Sequence, residues 1–79
     1  MITVLRESGF RIVIFLNDHL PEHVHVYGDG EARIDLGGEA GGAKVVWSLG
    51  MKRSDVRRAV SIVNAHRDDL ILRWRELHG

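Results

Sequence analysis

Apolar and polar residues change rhythm along the chain. In residues 23–27, Val24 and Val26 alternate with His23, His25 and Tyr27, and in residues 31–36, Ala32, Ile34 and Leu36 alternate with Glu31, Arg33 and Asp35. A period of two belongs to a strand with one face in a core and the other in water. Residues 10–16 are almost continuously apolar and rich in β-branched and aromatic side chains, which predicts a central strand. A shorter apolar run at 2–5 predicts a strand that turns at Ser8-Gly9. Residues 43–49 resume strand character, with Val45 and Trp47 expected to face together and Trp47 to enter the core.

Beyond Gly50 the period lengthens. Val56, Val60, Val63, Leu70, Trp74 and Leu77 recur every three or four residues, broadened by Ala59, Ile62 and Ile71 into the apolar stripe of an amphipathic helix. One continuous helix over 52–77 is expected, because no proline or glycine intervenes; Arg67 interrupts the stripe, and with Asn64 and His66 it marks 64–68 as the place for a kink or a helix–helix break. At 1.5 Å per residue such a helix is about 39 Å long. That is longer than a small sheet can cover, so its last turns are expected to project or to join a second copy. The fold class is therefore α+β: a small antiparallel sheet of four or five strands packed on one long C-terminal helix, in a single domain over 1–79, β-rich through 49 and helical over 52–77.

The connections sharpen the register. Residues 17–21, Asn-Asp-His-Leu-Pro, read as a turn, since Asn and Asp bond locally to the backbone and proline fixes its own φ. Gly28-Asp29-Gly30 reads as a three-residue hairpin loop with Gly30 in the left-handed position. This loop sets His23 opposite Asp35, Val24 opposite Ile34, His25 opposite Arg33, Val26 opposite Ala32 and Tyr27 opposite Glu31, keeping every apolar pair on one face; a two-residue loop would mix the faces. Residues 37–42 are expected to be a longer, flexible glycine-rich connection.

Composition bounds the rest. Seventy-nine residues hold one hydrophobic core, and with no cysteine there are no disulfides or thiolate ligands to brace it. No run approaches the 18 or so apolar residues of a membrane span, and no basic segment followed by a long apolar run opens the chain, so a cytoplasmic protein without membrane contact is expected. Eleven basic and eleven acidic residues cancel, but residues 1–49 carry four Lys/Arg against seven Asp/Glu, and residues 50–79 seven against four. Such asymmetry suits self-association, an acidic partner or nucleic acid.

Three chemistries compete for the polar positions. His19, His23 and His25 could hold a divalent metal, since neutral imidazole is the commonest protein metal ligand, although their spacing matches no established zinc motif. This is the one reading that calls for a cofactor; the fold requires none. Alternatively, His23 and His25 as proton carriers with Arg33 or Arg11 as a phosphate clamp would suit RNA cleavage without metal. Arg11, Arg33, Lys52, Arg53, Arg57 and Arg58 are the candidate anion-binding positions. No helix-turn-helix, phosphate-loop or RRM pattern is present, and a solvated sheet face or helix surface accounts for the same residues.

Thr3-Val4-Leu5 and the string Asn17-Asp18-His19-Leu20-Pro21-Glu22-His23-Val24-His25-Val26, with Gly30-Glu31-Ala32, Val45-Val46-Trp47, Gly50-Met51, Asp55-Val56-Arg57-Arg58 and Trp74-Arg75-Glu76-Leu77-His78, resemble the DUF4160 family of short bacterial proteins of unknown function. The resemblance implies a compact α+β protein encoded beside a small protein of the DUF2442 type, in an arrangement like a toxin–antitoxin pair. It carries no established catalytic set. It points to Asn17, Asp18, His19, Pro21, His23 and His25 as the shared site, and to a small protein as partner. Lys52 stands where relatives place a capping serine.

Overall fold

The computed structural model describes residues 1–37 and 42–78. Five strands, β1 (Ile2–Glu7), β2 (Phe10–Ile14), β3 (His23–Tyr27), β4 (Glu31–Asp35) and β5 (Lys44–Leu49), precede two helices, α1 (Arg53–Ala65) and α2 (Arg67–His78). The strands pair in chain order into one antiparallel meander, so β1 and β5 are its edges. Of the glycine-rich connection expected at 37–42, positions 38–41 lie outside the described residues.

Local sequence explains the hairpins. Ser8 and Gly9 both adopt positive φ, 54° and 83°, as a two-residue hairpin turn requires. The β3–β4 register is the one that a three-residue loop predicts, from His23 opposite Asp35 to Tyr27 opposite Glu31. Gly30 serves it for a different reason from the one expected. Its φ is not positive; a Cβ there would lie 2.4 Å from the Gly50 carbonyl carbon and 2.5 Å from the Leu49 oxygen, so glycine admits the end of β5.

The core lies between one sheet face and the helices. Ile12, Ile14, Val24, Val26 and Ile34 are fully buried, packed with Ala59, Ile62 and Val63 of α1 and Leu70 and Trp74 of α2. The helical stripe is centred nearer Ala59 and Ile62 than Val56, which is half-buried. α1 begins without a side-chain cap at Lys52, in keeping with the missing serine.

Two expectations are corrected. The C-terminal segment is two helices, broken at His66, where φ is −113° and ψ 16°. No proline or glycine lies at the break. The break returns Leu70 and Trp74 to the core and turns the Arg67 guanidinium onto the carbonyls of Leu36 and Gly37 at the end of β4. The C-terminal turns thus pack against the core and the β2–β3 connection rather than project from them.

Trp47 is the second correction. The β4–β5 register shifts between Arg33 and Ile34, so Ile34 pairs with Val45 but Arg33 with Trp47. The bulge carries Trp47 off the core side and onto the face of His25 and Arg33, where it is 39% exposed.

Candidate functional site

The sheet face opposite the helices carries the polar half of the alternating pattern, but it is not simply solvated. Val13, which pairs with His25, is fully buried on it, and His23 is only 2% exposed. The cover is the segment between β2 and β3. The Asp18 amide donates to the Phe15 carbonyl, and an Asp18 carboxylate oxygen accepts from the Phe15 amide at 3.4 Å, so the turn closes on itself and lies back over β3. The Leu20–Pro21 peptide within it is cis. Phe15 meets the His25 ring edge-on, with centroids 4.7 Å apart.

Asp18 thereby reaches both histidines of β3. Its Oδ2 lies 3.1 Å from His23 Nε2 and 3.9 Å from His25 Nε2. One ligand atom from each of Asp18, His23 and His25 falls within 4.8 Å of the other two. The far side of each ring also faces oxygen. His23 Nδ1–H donates to the Pro21 carbonyl at 2.8 Å, and His25 Nδ1, buried and without a hydrogen bond, lies 3.8 Å from Glu31 Oε2. Burial pushes the His25 imidazole below its ordinary value; the Asp18 carboxylate opposes this, the neighbouring His23 adds to it, Glu31 opposes it and Arg33 adds to it. A neutral imidazole is therefore favoured at position 25.

Arg33 stands across from His25, 3.5 Å from Asp35, and Trp47 lies beyond it with its ring centroid 6.0 Å from that of His25. A cleft of about 440 Å³ opens beside Asp18, lined also by His19, Leu20, Trp74, Arg75 and His78.

The residues expected to act together are gathered only in part. His23, His25 and Arg33 share one face, but His23 is sealed between Pro21 and Asp18. His19 is exposed, lines the cleft and is outside the group that contains His23 and His25; Asp18 takes the third place. Asn17 and Pro21 are exposed, Pro21 contributing its carbonyl. Arg11 lies over Tyr27, its guanidinium 5.4 Å from the ring centroid. Lys52, Arg53, Arg57 and Arg58 are exposed at the start of α1, with Arg58 bonded to Asp55 and the Ser8 carbonyl, so the anion-binding set does not converge on one site. Glu31 and Trp47 were not expected in the cluster. The predicted pairing of Tyr27 with Glu31 was the available signal for Glu31; nothing in the sequence marked the bulge that brings Trp47 over.

The free edge of β5 is a second surface with functional character. Val46, Trp47 and Leu49 are 49, 39 and 70% exposed. Between β5 and α1 lies a cleft of about 560 Å³ lined by Val45, Val56, Arg57, Val60, Ser61 and Asn64. Among the described residues, no helix is long and apolar enough to cross a membrane.

A family model described as "Domain of unknown function (DUF4160)" matches residues 9–75 of the 79-residue chain. No curated protein and no solved structure is significantly similar to it.

Proposed function

The chain belongs to the DUF4160 family, and from that premise we propose that it is the protein-binding member of a toxin–antitoxin-like pair, engaging a small partner of the DUF2442 type along β5. The observation that carries this reading is the exposed apolar edge. An edge strand presents unpaired backbone N–H and C=O groups, and proteins commonly protect such edges with charge, distortion or a covering element. β5 has a bulge and Lys44, yet leaves Val46, Trp47 and Leu49 exposed, whereas β1 ends in the charged Arg6 and Glu7. A partner strand added to β5 would gain main-chain hydrogen bonds. Its side chains would find the apolar walls of the Val45–Val56–Val60 cleft, with Arg57 at hand for a carboxylate.

The experiment is to mix the purified protein with the product of its neighbouring gene at micromolar concentration and weigh the species by light scattering. A heteromeric complex is expected, weakened in Val46→Lys and Trp47→Ala while both variants melt close to the parent. Two species that elute separately would sink the proposal. The same preparations address the alternative of RNA cleavage by His23, His25 and Arg33: turnover by the purified protein, lost in His25→Gln and Arg33→Met, would favour it.

A further inference from the structure

We propose that Asp18, His23 and His25 form a binding site for a borderline divalent cation, with zinc as the reference ion. This goes beyond partner binding and uses the opposite-face cluster rather than the β5 edge.

The distances suit three ligands of one ion. Imidazole nitrogen and carboxylate oxygen bind zinc at about 2.0–2.1 Å, which places neighbouring ligand atoms of a tetrahedral site about 3.3 Å apart. The separations from Asp18 Oδ2, 3.1 Å to His23 and 3.9 Å to His25, lie on either side of that spacing. All three ligand atoms lie within 4.8 Å of one another, so the two imidazoles must draw closer together to share one ion.

The ring orientations point the same way. A neutral imidazole has one N–H, and in His23 the Pro21 carbonyl takes it at Nδ1. Its Nε2 then turns a lone pair toward a carboxylate oxygen 3.1 Å away, an arrangement that needs a proton or a cation between the two atoms. In His25 the same two directions are taken without an Nδ1 hydrogen bond: Nδ1 faces Glu31 Oε2 at 3.8 Å and Nε2 faces Asp18. Histidines that bind metals generally donate their other N–H to a carbonyl or carboxylate, which fixes the tautomer and the ring plane. His23 has such a carbonyl in place, and for His25 the Glu31 carboxylate is the nearby acceptor, 3.8 Å away.

The surroundings favour a cation. The carboxylates of Asp18, Glu31 and Asp35 face the guanidinium of Arg33, and Arg75, which lines the cleft beside Asp18, is paired with Glu22. His25 and Asp18 have side chains 13 and 17% exposed, so the site is largely shielded from water without being sealed. Two imidazoles and one carboxylate select zinc, iron(II), cobalt or nickel over magnesium and calcium, and they leave coordination positions for water or an exogenous ligand.

The test is calorimetric titration of zinc into chelator-treated full-length protein, repeated with magnesium. Saturable one-to-one binding of zinc but not magnesium is expected, together with a rise in melting temperature, because a ligand of the native state stabilises it. Asp18→Asn and His25→Gln should each weaken zinc binding at least about tenfold, on the scale that even supporting residues of metal sites reach. His19→Ala should leave it unchanged. Melting of each variant in chelator separates loss of a ligand from loss of the fold, and His23, the most buried member, is left intact for that reason. No saturable zinc heat in the parent would overturn the proposal. So would binding that survives Asp18→Asn and His25→Gln but falls in His19→Ala, since the ion would then sit on exposed histidine.

Discussion

Leu70→Ala tests whether the segment beyond the helix break belongs to the core. Leu70 is 4% exposed and packs, with Trp74, into the cluster that includes Val24, Ile34 and Val63. Truncating a buried leucine costs about 2–5 kcal/mol, the larger values arising where the surroundings cannot close on the hole. α2 has little freedom to close. Arg67 ties its first turn to the carbonyls of Leu36 and Gly37, and the His78 ring bonds the Phe15 carbonyl near its end. A loss of about 3 kcal/mol or more is therefore expected. Against the roughly 4–12 kcal/mol typical of a chain this long, that is a large fraction of the total.

At roughly 4–8 °C per kcal/mol for a domain of this size, the melting temperature should fall by about 12 °C or more. The control is Leu72→Ala, two residues along the same helix and 58% exposed, which should stay within about 0.5 kcal/mol of the parent. Thermal melts followed by circular dichroism, with urea midpoints alongside, would measure both. Equal melting of Leu70→Ala and Leu72→Ala would refute the argument, because it would mean that α2 does not hold Leu70 in the core.

Two further outcomes follow from individual contacts. Gly30→Ala should destabilise by about 1–3 kcal/mol, the usual effect of overpacking, because the added Cβ meets backbone of Leu49 and Gly50 rather than a side chain that could swing away; a urea midpoint equal to the parent's would show that the end of β5 yields freely. Glu22 is held below its ordinary carboxyl value of 4.5, chiefly by its hydrogen bond from Arg75, with burial opposing. A carboxyl with a depressed folded-state value contributes stability above its unfolded value and loses it as pH falls through the folded one. Parent and Arg75→Ala should therefore differ in urea midpoint at about pH 6 and converge in acid, whereas a difference that persists at low pH would assign the contact another role.

The parts of the fold that could be read in advance are those governed by near neighbours. Alternation in residues 23–27 and 31–36, together with a loop of fixed length, determines which side chains oppose each other, and the β3–β4 register follows. The helix break and the turned Trp47 depend on contacts made across the molecule. Nothing within residues 64–68 forbids a helix. The two-helix path is the one in which Arg67 bonds the carbonyls of Leu36 and Gly37 and Leu70 and Trp74 reach the core. Likewise, a bulge shifts one strand against its neighbour without any marker in the pattern, and residues 45 and 47, which strict alternation would put together, come to pair on opposite faces.

The histidines illustrate a further limit of pattern reading, and it bears on why the site exists at all. A period of two assigns side chains to faces but does not say what covers a face. His23 and His25 read as the wet side of β3, yet one is buried and the other nearly so. Burying an imidazole without hydrogen-bond partners would be expensive, so the cover must supply them. Residues 15–22 do so: Pro21 offers its carbonyl to His23, and Asp18 lies against both rings. An aliphatic pair at 23 and 25 would gain nothing from that turn, and the Asp18 carboxylate would then face apolar carbon. The turn and the two histidines thus suit each other as a unit. This explains in physical terms why Asp18, named among the shared-site positions but not among the metal ligands, belongs with the imidazoles, while His19, the more obvious ligand by residue type, faces solvent.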